Sequence, residues 1–212
     1  MSQGIHEFKI GDIRCVAIND GEGSIMDLKG ACQSFPNTDT DEVKVAFDSL
    51  SEQQKRFCFN ILYVEADNQK IVIDTGFGPP AHDGIGYLVE HLQEIGISAG
   101  DIDIIMITHA HPDHINGLVD SDGNLAFPNA RYVISKKEWE FWQNPEGMPT
   151  QHIESTQKKL NFIRDNFSLI EPGDEFVSGV SIVEAYGHTS GHINVMIESN
   201  DKRLLYIVDI AH

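Results

Sequence analysis

Apolar residues along this chain fall mostly into short runs bounded by turn residues, with a few stretches of helical spacing between them. Residues 5–20 alternate loosely and predict strands on either side of the turn pair Gly11-Asp12. Val43, Val45, Ala46, Phe47 and Leu50, set among charges, predict an amphipathic helix over 41–57 with Asp41 near its start. The runs Ile61-Leu62-Tyr63-Val64 and Ile71-Val72-Ile73, separated by Asp67-Asn68-Gln69, predict a β-hairpin. Helical spacing through Tyr87, Leu88, His91, Leu92 and Ile95 leads into Ile102–Ile107, a β-branched run that fits a buried strand. Further strands are predicted at Arg131–Ser135, Val180–Ala185, Ile193–Glu198 and Arg203–Val208, and a helix from Lys136 to about Trp142. Strands dominate and helices intervene irregularly, which predicts a layered α/β domain rather than a bundle or a doubly wound sheet.

No repeat, low-complexity tract or Pro/Gly/Ser-rich linker divides the 212 residues, so residues 1–212 are expected to form one domain. A hydrophobic content of 41% can build a core without disulfide or metal staples, so a metal here need not be structural. The 33 Asp and Glu against 15 Lys and Arg leave a formal net charge of −18. Such a surface repels phosphate, which argues against nucleic acid or an anionic membrane as a partner. No apolar run nears the ~18 residues needed to span a bilayer. The first residues lack the basic and apolar regions of a secretory signal. Cys15, Cys32 and Cys58 form no CxxC pair, and reduced thiols in a cytoplasmic protein are expected.

Candidate chemistry concentrates in Thr108-His109-Ala110-His111-Pro112-Asp113-His114, an HxHxDH pattern at the end of the Ile102–Ile107 run. Residues two apart on an extended segment point to one side, so His109 and His111 can reach one cation. Pro112 stops the strand, and the turn lets Asp113 and His114 face a second cation. Imidazole and carboxylate ligands suit zinc and also admit iron or manganese. In Tyr186-Gly187-His188-Thr189-Ser190-Gly191-His192, a Gly turn after a strand presents His188 as a third nitrogen for the first cation. His192 is expected to hydrogen-bond the loop or to begin the next strand instead. Asp209 closes the apolar run Leu204-Leu205-Tyr206-Ile207-Val208, where a carboxylate is costly unless paired or metal-bound, and it is assigned the bridge between the two cations. Asp74, ahead of Thr75-Gly76, is expected to hydrogen-bond a ligand rather than to be one.

Together the histidine motif, GHTSGH, Asp209 and the Asp74-Thr75-Gly76 turn resemble the metallo-β-lactamase superfamily across most of the chain. Within it the chain looks most like the lactonase and phosphotriesterase-like (methyl parathion hydrolase-like) branch. The segment before Asn60, the DTGFG turn, and Ala130-Arg131-Tyr132-Val133 leading to Glu138-Trp139-Glu140-Phe141-Trp142 carry that likeness. The resemblance implies a four-layer αββα sandwich with a metal pair at one edge of the sheets. Family members supply a last histidine to the second metal well after the bridging aspartate, whereas this sequence stops at His212. By spacing, His212 falls where acyl-homoserine-lactone lactonases place a catalytic tyrosine and where related organophosphate-type hydrolases can carry histidine. The resemblance therefore implies a hydrogen-bonding catalytic role for His212, and a form lacking its C-terminal strand and helix.

The expected function is hydrolysis of an ester-type bond, a lactone first, by hydroxide activated between two zinc ions, with Asp113 taking part in proton transfer. His109, His111 and His188 are expected to fill before Asp113, His114 and Asp209. Organophosphate hydrolysis, glyoxalase-II-like thioester hydrolysis and a catalytically impaired metal-binding remnant stay open as alternatives. Oxygen chemistry is disfavoured because di-iron members of the fold carry a carboxylate where this chain has His111. The implied partner is a small-molecule ester or lactone, and a homodimer is the default assembly. Specificity is expected in loops 22–40 and 143–158; Phe35, Trp139, Trp142 and Met148 are candidate pocket walls, with core or surface packing favoured for each.

Overall fold

A computed structural model describes residues 4–35, 37–79, 84–145 and 150–210; Met148 and His212 lie outside these. The chain opens with β1 (Ile5–Ile10) and β2 (Ile13–Ile25), antiparallel about Gly11-Asp12, then α1 (Leu28–Ser34) and α2 (Thr40–Asp48). β3 (Arg56–Ala66) and β4 (Gln69–Ile73) form the expected hairpin. Its two-residue turn, Asp67-Asn68, has both φ angles positive, as tight hairpins of right-twisted strands require. After α3 (Leu88–Glu94) come β5 (Ile104–Ile107), the single turn α4 (Pro112–Ile115), β6 (Arg131–Ser135), α5 (Lys136–Gln143), α6 (Thr150–Phe162) and β7 (Phe167–Ile170). β8 (Glu175–Val177), β9 (Val180–Glu184), β10 (Ile193–Ser199) and β11 (Lys202–Tyr206) follow.

The strands build two sheets. One has seven strands in sequence order β1 to β7, antiparallel up to β4 and parallel from β4 to β7; the other runs β11-β10-β9-β8 and is antiparallel. Alternation along the central strands divides their side chains between two cores. Leu62, Val64, Ile71, Ile73, Ile104 and Met106 face Val180, Ile182, Ile193, Val195 and Ile197 of the second sheet. Ile61, Tyr63, Val72, Ile105, Ile107 and Ile134 face the opposite way, against Leu88 and Leu92 of α3, Trp142 of α5 and Leu160 of α6. Both faces of β4 and β5 are therefore covered, which is why their sequences are uninterrupted apolar runs. The layering is α/β, with helices on one face of the first sheet and the second sheet on its other face.

Three expectations are corrected. The helix over 41–57 stops at Asp48, because the Ser49 hydroxyl donates back to Ala46 O (2.6 Å) and competes with the helical ladder. Of its apolar positions only Val43 is buried, and Val45 is 72% exposed. The run Arg203–Val208 is not a buried strand: β11 ends at Tyr206, occupies the sheet edge, and leaves Leu205 and Ile207 exposed. Segment 143–158 is largely the start of α6 rather than a loop. Cys15, Cys32 and Cys58 are free thiols, and among the described residues no helix is long and apolar enough to cross a membrane.

Candidate metal centre

The site forms where chain leaves the ends of β5, β9 and β11. After β5 the backbone bends at Thr108 and passes His109 to reach His111, which is extended and precedes Pro112 at the start of α4. That one turn swings Asp113 and His114 back over the strand end. Thr75 fixes it there, donating its N–H (2.8 Å) and hydroxyl (2.9 Å) to His114 O. Behind the turn Gly117 meets Thr75 so closely that an added Cβ would stand 2.0 Å from Thr75 O. After β9, Gly187 takes φ +146°, a conformation open to glycine, and delivers His188.

Asp209 arrives differently from the expected strand end. Val208 has a left-handed φ of +48°, which breaks the extended path after Tyr206, and Asp209 sits in a short 3-10 turn over Val208–Ile210. Buried His192 seats this turn: its Nδ1–H bonds Ala185 O (3.1 Å) and its Nε2 accepts the Asp209 N–H (3.4 Å). His192 thus serves the loop, as the sequence led us to expect.

Two sets of atoms that could hold a metal ion converge, each within 4.8 Å: His109, His111 and His188, and His109, His114 and Asp209. His111 Nδ1 lies 3.1 Å from His109 Nε2 and 2.9 Å from His188 Nε2. Donors at ~2.1 Å from a tetrahedral cation stand about 3.4 Å apart, so this set needs only slight opening to enclose one. Asp209 Oδ2 is 3.3 Å from His188 Nε2, 3.3 Å from His114 Nε2 and 3.7 Å from His109 Nε2, which places one oxygen between the sets. The donor set fits a pair of borderline divalent cations. Asp113 borders the second set with Oδ2 3.6 Å from His114 Nε2, while His109 takes part in both sets. Asp74 accepts from Thr108 N–H (2.8 Å), Thr108 Oγ1–H (2.7 Å) and His114 Nδ1–H (2.8 Å), the supporting role expected of it.

Electrostatics follow from burial and from the crowding of like groups. Burial, then the neighbouring rings of His114 and His111, hold His109 far below the ordinary histidine range. Burial and His188 bring His111 down to about 4, so both rings offer lone pairs at neutral pH. Burial works against charge on His114, but Asp74, Asp113 and Asp209 outweigh it and raise its pKa. Burial likewise opposes ionisation of Asp209, and hydrogen bonds from His114 and His188 reverse that and hold it below the carboxylate range. A cation held among these groups would take the place of the proton.

A cavity of about 580 Å³ opens beside Asp113, His114 and Asp209 and is walled by Phe57, Phe59, Phe77 and Ile207. A more open groove of about 860 Å³ along Asn19, Arg56 and His91 touches none of the site's ligands. Among the described residues, the walls of this cavity come from β3, the turn after Asp74 and the chain at the end of β11, and none from 22–40 or 143–158. Trp142 is buried in the helix-side core, Trp139 stacks on Phe167 (4.2 Å), and Phe35 is exposed on the surface. Sequence reasoning passed over two fully buried carboxylates, Asp20 and Glu138, because each reads locally as a surface charge.

Paired sheets under a helical layer, with a histidine and aspartate cluster at the strand ends, define a metal-binding α/β protein. Residues 59–211 match the metallo-beta-lactamase superfamily, and the chain belongs to that superfamily, in its lactonase-like branch. An N-acyl homoserine lactonase from Bacillus sp is 30% identical over 112 residues, 53% of this chain and 39% of that protein. The probable metallo-hydrolase Rv2300c of Mycobacterium tuberculosis is 24% identical across 71% of this chain and 56% of its own length. The matches thus span about half the length of these curated relatives. Among solved structures, AidC, a dizinc quorum-quenching lactonase in complex with the product N-hexanoyl-L-homoserine, superposes with a TM-score of 0.86 at 31% identity. That superposition covers 99% of this chain and 75% of that one.

Proposed function

We propose that this protein is a metal-dependent hydrolase that opens a small-molecule lactone, with zinc held by His109, His111 and His188 and by His114, Asp209 and Asp113. The observation that carries the reading is the position of Asp209 Oδ2, 3.3 Å from both His188 Nε2 and His114 Nε2, which sets one carboxylate oxygen between the two candidate ligand sets. The likeness to lactonases, one of them dizinc, supports the choice of bond and metal. Two bound cations would supply Lewis acidity, lowering the pKa of water toward ~7 and taking up charge on the acyl oxygen.

The chain's own groups do the rest. Phe57, Phe59 and Phe77 hold the apolar part of the substrate and exclude water from the cavity. Asp113, at the cavity edge, takes a proton from the attacking water. The water oxygen bonds to the carbonyl carbon, the ring C–O bond breaks, and the proton passes to the departing alkoxide. The product is a single hydroxy acid that carries both the new alcohol and the new carboxylic acid. Zinc-loaded protein given N-hexanoyl-homoserine lactone is expected to release acid, read with a pH indicator, and Asp113→Ala to lose at least ~10²-fold. Acid release no faster than in buffer from a fully zinc-loaded protein would overturn the reading.

A further inference from the structure

Glu138 lies on α5, outside both ligand sets, with none of its surface exposed. Its Oε1 accepts the Ala110 N–H (2.9 Å) and the Trp142 Nε1–H (2.7 Å). Its Oε2 accepts the Thr189 hydroxyl (2.6 Å) and the Gly191 N–H (3.0 Å). Four donors use the full acceptor capacity of a carboxylate. A buried carboxylate is costly to desolvate, and an apolar side chain packs such a position at lower cost, so core filling alone does not account for it.

The identity of the partners does. Ala110 separates His109 from His111, Thr189 follows His188, and Gly191 precedes His192. One carboxylate therefore ties together two loops, remote in sequence, that carry all three nitrogens of the first set. The backbones meet closely at this point: a Cβ on Gly191 would stand 2.0 Å from Glu138 N. Ser135 adds a second strap, its hydroxyl donating to Gly191 O (2.7 Å) while its oxygen receives the Glu138 N–H (3.1 Å). On the same helix Trp142 packs edge-on to His111, with ring centroids 6.5 Å apart.

We propose that Glu138 is the positioning residue of the first metal set, holding Ala110 against Thr189 and Gly191 so that His111 Nδ1 and His188 Nε2 keep the spacing a cation needs. This rests on the reading of these histidines as metal ligands but not on the substrate. A glutamine cannot substitute, because its amide group aims N–H at Ala110 or at Gly191, both of which can only donate there.

The test titrates Zn²⁺ into metal-stripped protein by calorimetry with a competing chelator, and reads the visible spectrum of the Co²⁺-loaded form, whose intensity reports tetrahedral geometry. Glu138→Gln is expected to weaken the tightest Zn²⁺ site by ~10–100-fold, the usual effect of losing a group that orients ligands, and to alter the Co²⁺ spectrum. Thr189→Val, nearly isosteric and losing one donor, is expected to move both readouts the same way by a smaller factor. Circular dichroism and the urea midpoint of metal-free protein report the fold. If Glu138→Gln does not fold, Thr189→Val decides alone. Wild-type Zn²⁺ affinity and Co²⁺ spectrum in a folded variant overturn the proposal, whether or not its metal-free stability falls. Wild type that binds no Zn²⁺ would instead overturn the metal-centre reading beneath it.

Discussion

Asp74 Oδ2 accepts the Nδ1–H of His114 at 2.8 Å, while its Oδ1 holds the Thr108 N–H at 2.8 Å. Because a carboxylate only accepts, the neutral His114 ring keeps its lone pair on Nε2, the atom 3.3 Å from Asp209 Oδ2. Asp74 thereby selects the tautomer that can ligate. Asp74→Asn keeps the size and tolerates the left-handed φ of +67°, but one of its polar atoms becomes a donor facing a donor. The second cation is expected to bind ~10–100-fold more weakly, with the first little changed. Metal content after gel filtration checks this, and two ions retained by the variant as firmly as by wild type would count against it.

Metal binding should appear as stability. The three nitrogens of the first set already stand 2.9 Å and 3.1 Å apart, so His109, His111 and His188 are expected to fill first. At 100 times Kd, zinc should add about 2.7 kcal/mol to the folded state. His188→Ala should remove most of that gain and change metal-free stability far less, since His188 is partly exposed and caps no core. Urea midpoints with and without a chelator measure both, and a midpoint indifferent to the chelator would refute the expectation.

What could be read from the sequence was what local pattern determines. β4, β5 and β6 are apolar because both their faces are covered, and His109, His111, Asp113 and His114 share one loop, so both stand out along the chain. Glu138 stayed hidden because Ser135-Lys136-Lys137-Glu138 has the spacing of a capping box, in which the glutamate folds back on its own helix. Here Ser135 caps the helix, but the glutamate turns inward to partners about fifty residues on. α6 was missed since only Thr156 and Leu160 are buried among its described positions, and its stability comes from packing rather than from a visible stripe. Asp209 was placed in the right cluster but on the wrong element, because nothing in Ile207-Val208 announces a left-handed valine.

Gly117→Ala tests whether the turn carrying His114 depends on backbone contact with Thr75. Its Cβ would stand 2.0 Å from Thr75 O, a backbone atom that cannot move without shifting the loop after Asp74. A loss of about 1–3 kcal/mol is expected, as for overpacking elsewhere, with weaker metal binding alongside it. Gly123→Ala is the control: its φ is +84° but nothing lies within 4 Å, so it should cost only the ~1–2 kcal/mol of backbone strain and leave metal affinity unchanged. Urea unfolding and zinc titration of the two variants separate close approach from strain. Equal zinc affinities would remove the role given to Gly117.

Asp20 gives the fold a pH dependence of its own. Wholly buried, its Oδ1 accepts the Leu88 N–H (2.9 Å) and its Oδ2 the Phe77 N–H (2.9 Å), joining α3 to the loop that follows Asp74. Burial raises its pKa from 3.8 to about 6, and the N–H bonds from Phe77 and Leu88 only partly offset that. The folded chain thus holds this proton more tightly than the unfolded chain. The resulting stability is complete below about pH 4 and is lost as pH rises through about 6. Two states with these pKa values differ by about 1.4 kcal/mol between pH 5 and pH 8. Asp20→Asn cannot titrate, so in metal-free protein the stability gap between wild type and variant should be wider at pH 5 than at pH 8 by that amount. The variant should also be the less stable at both, since its amide leaves Phe77 or Leu88 facing an N–H. Parallel urea curves at the two pH values measure the gap, and a gap that does not change with pH would mean that Asp20 is ionised throughout.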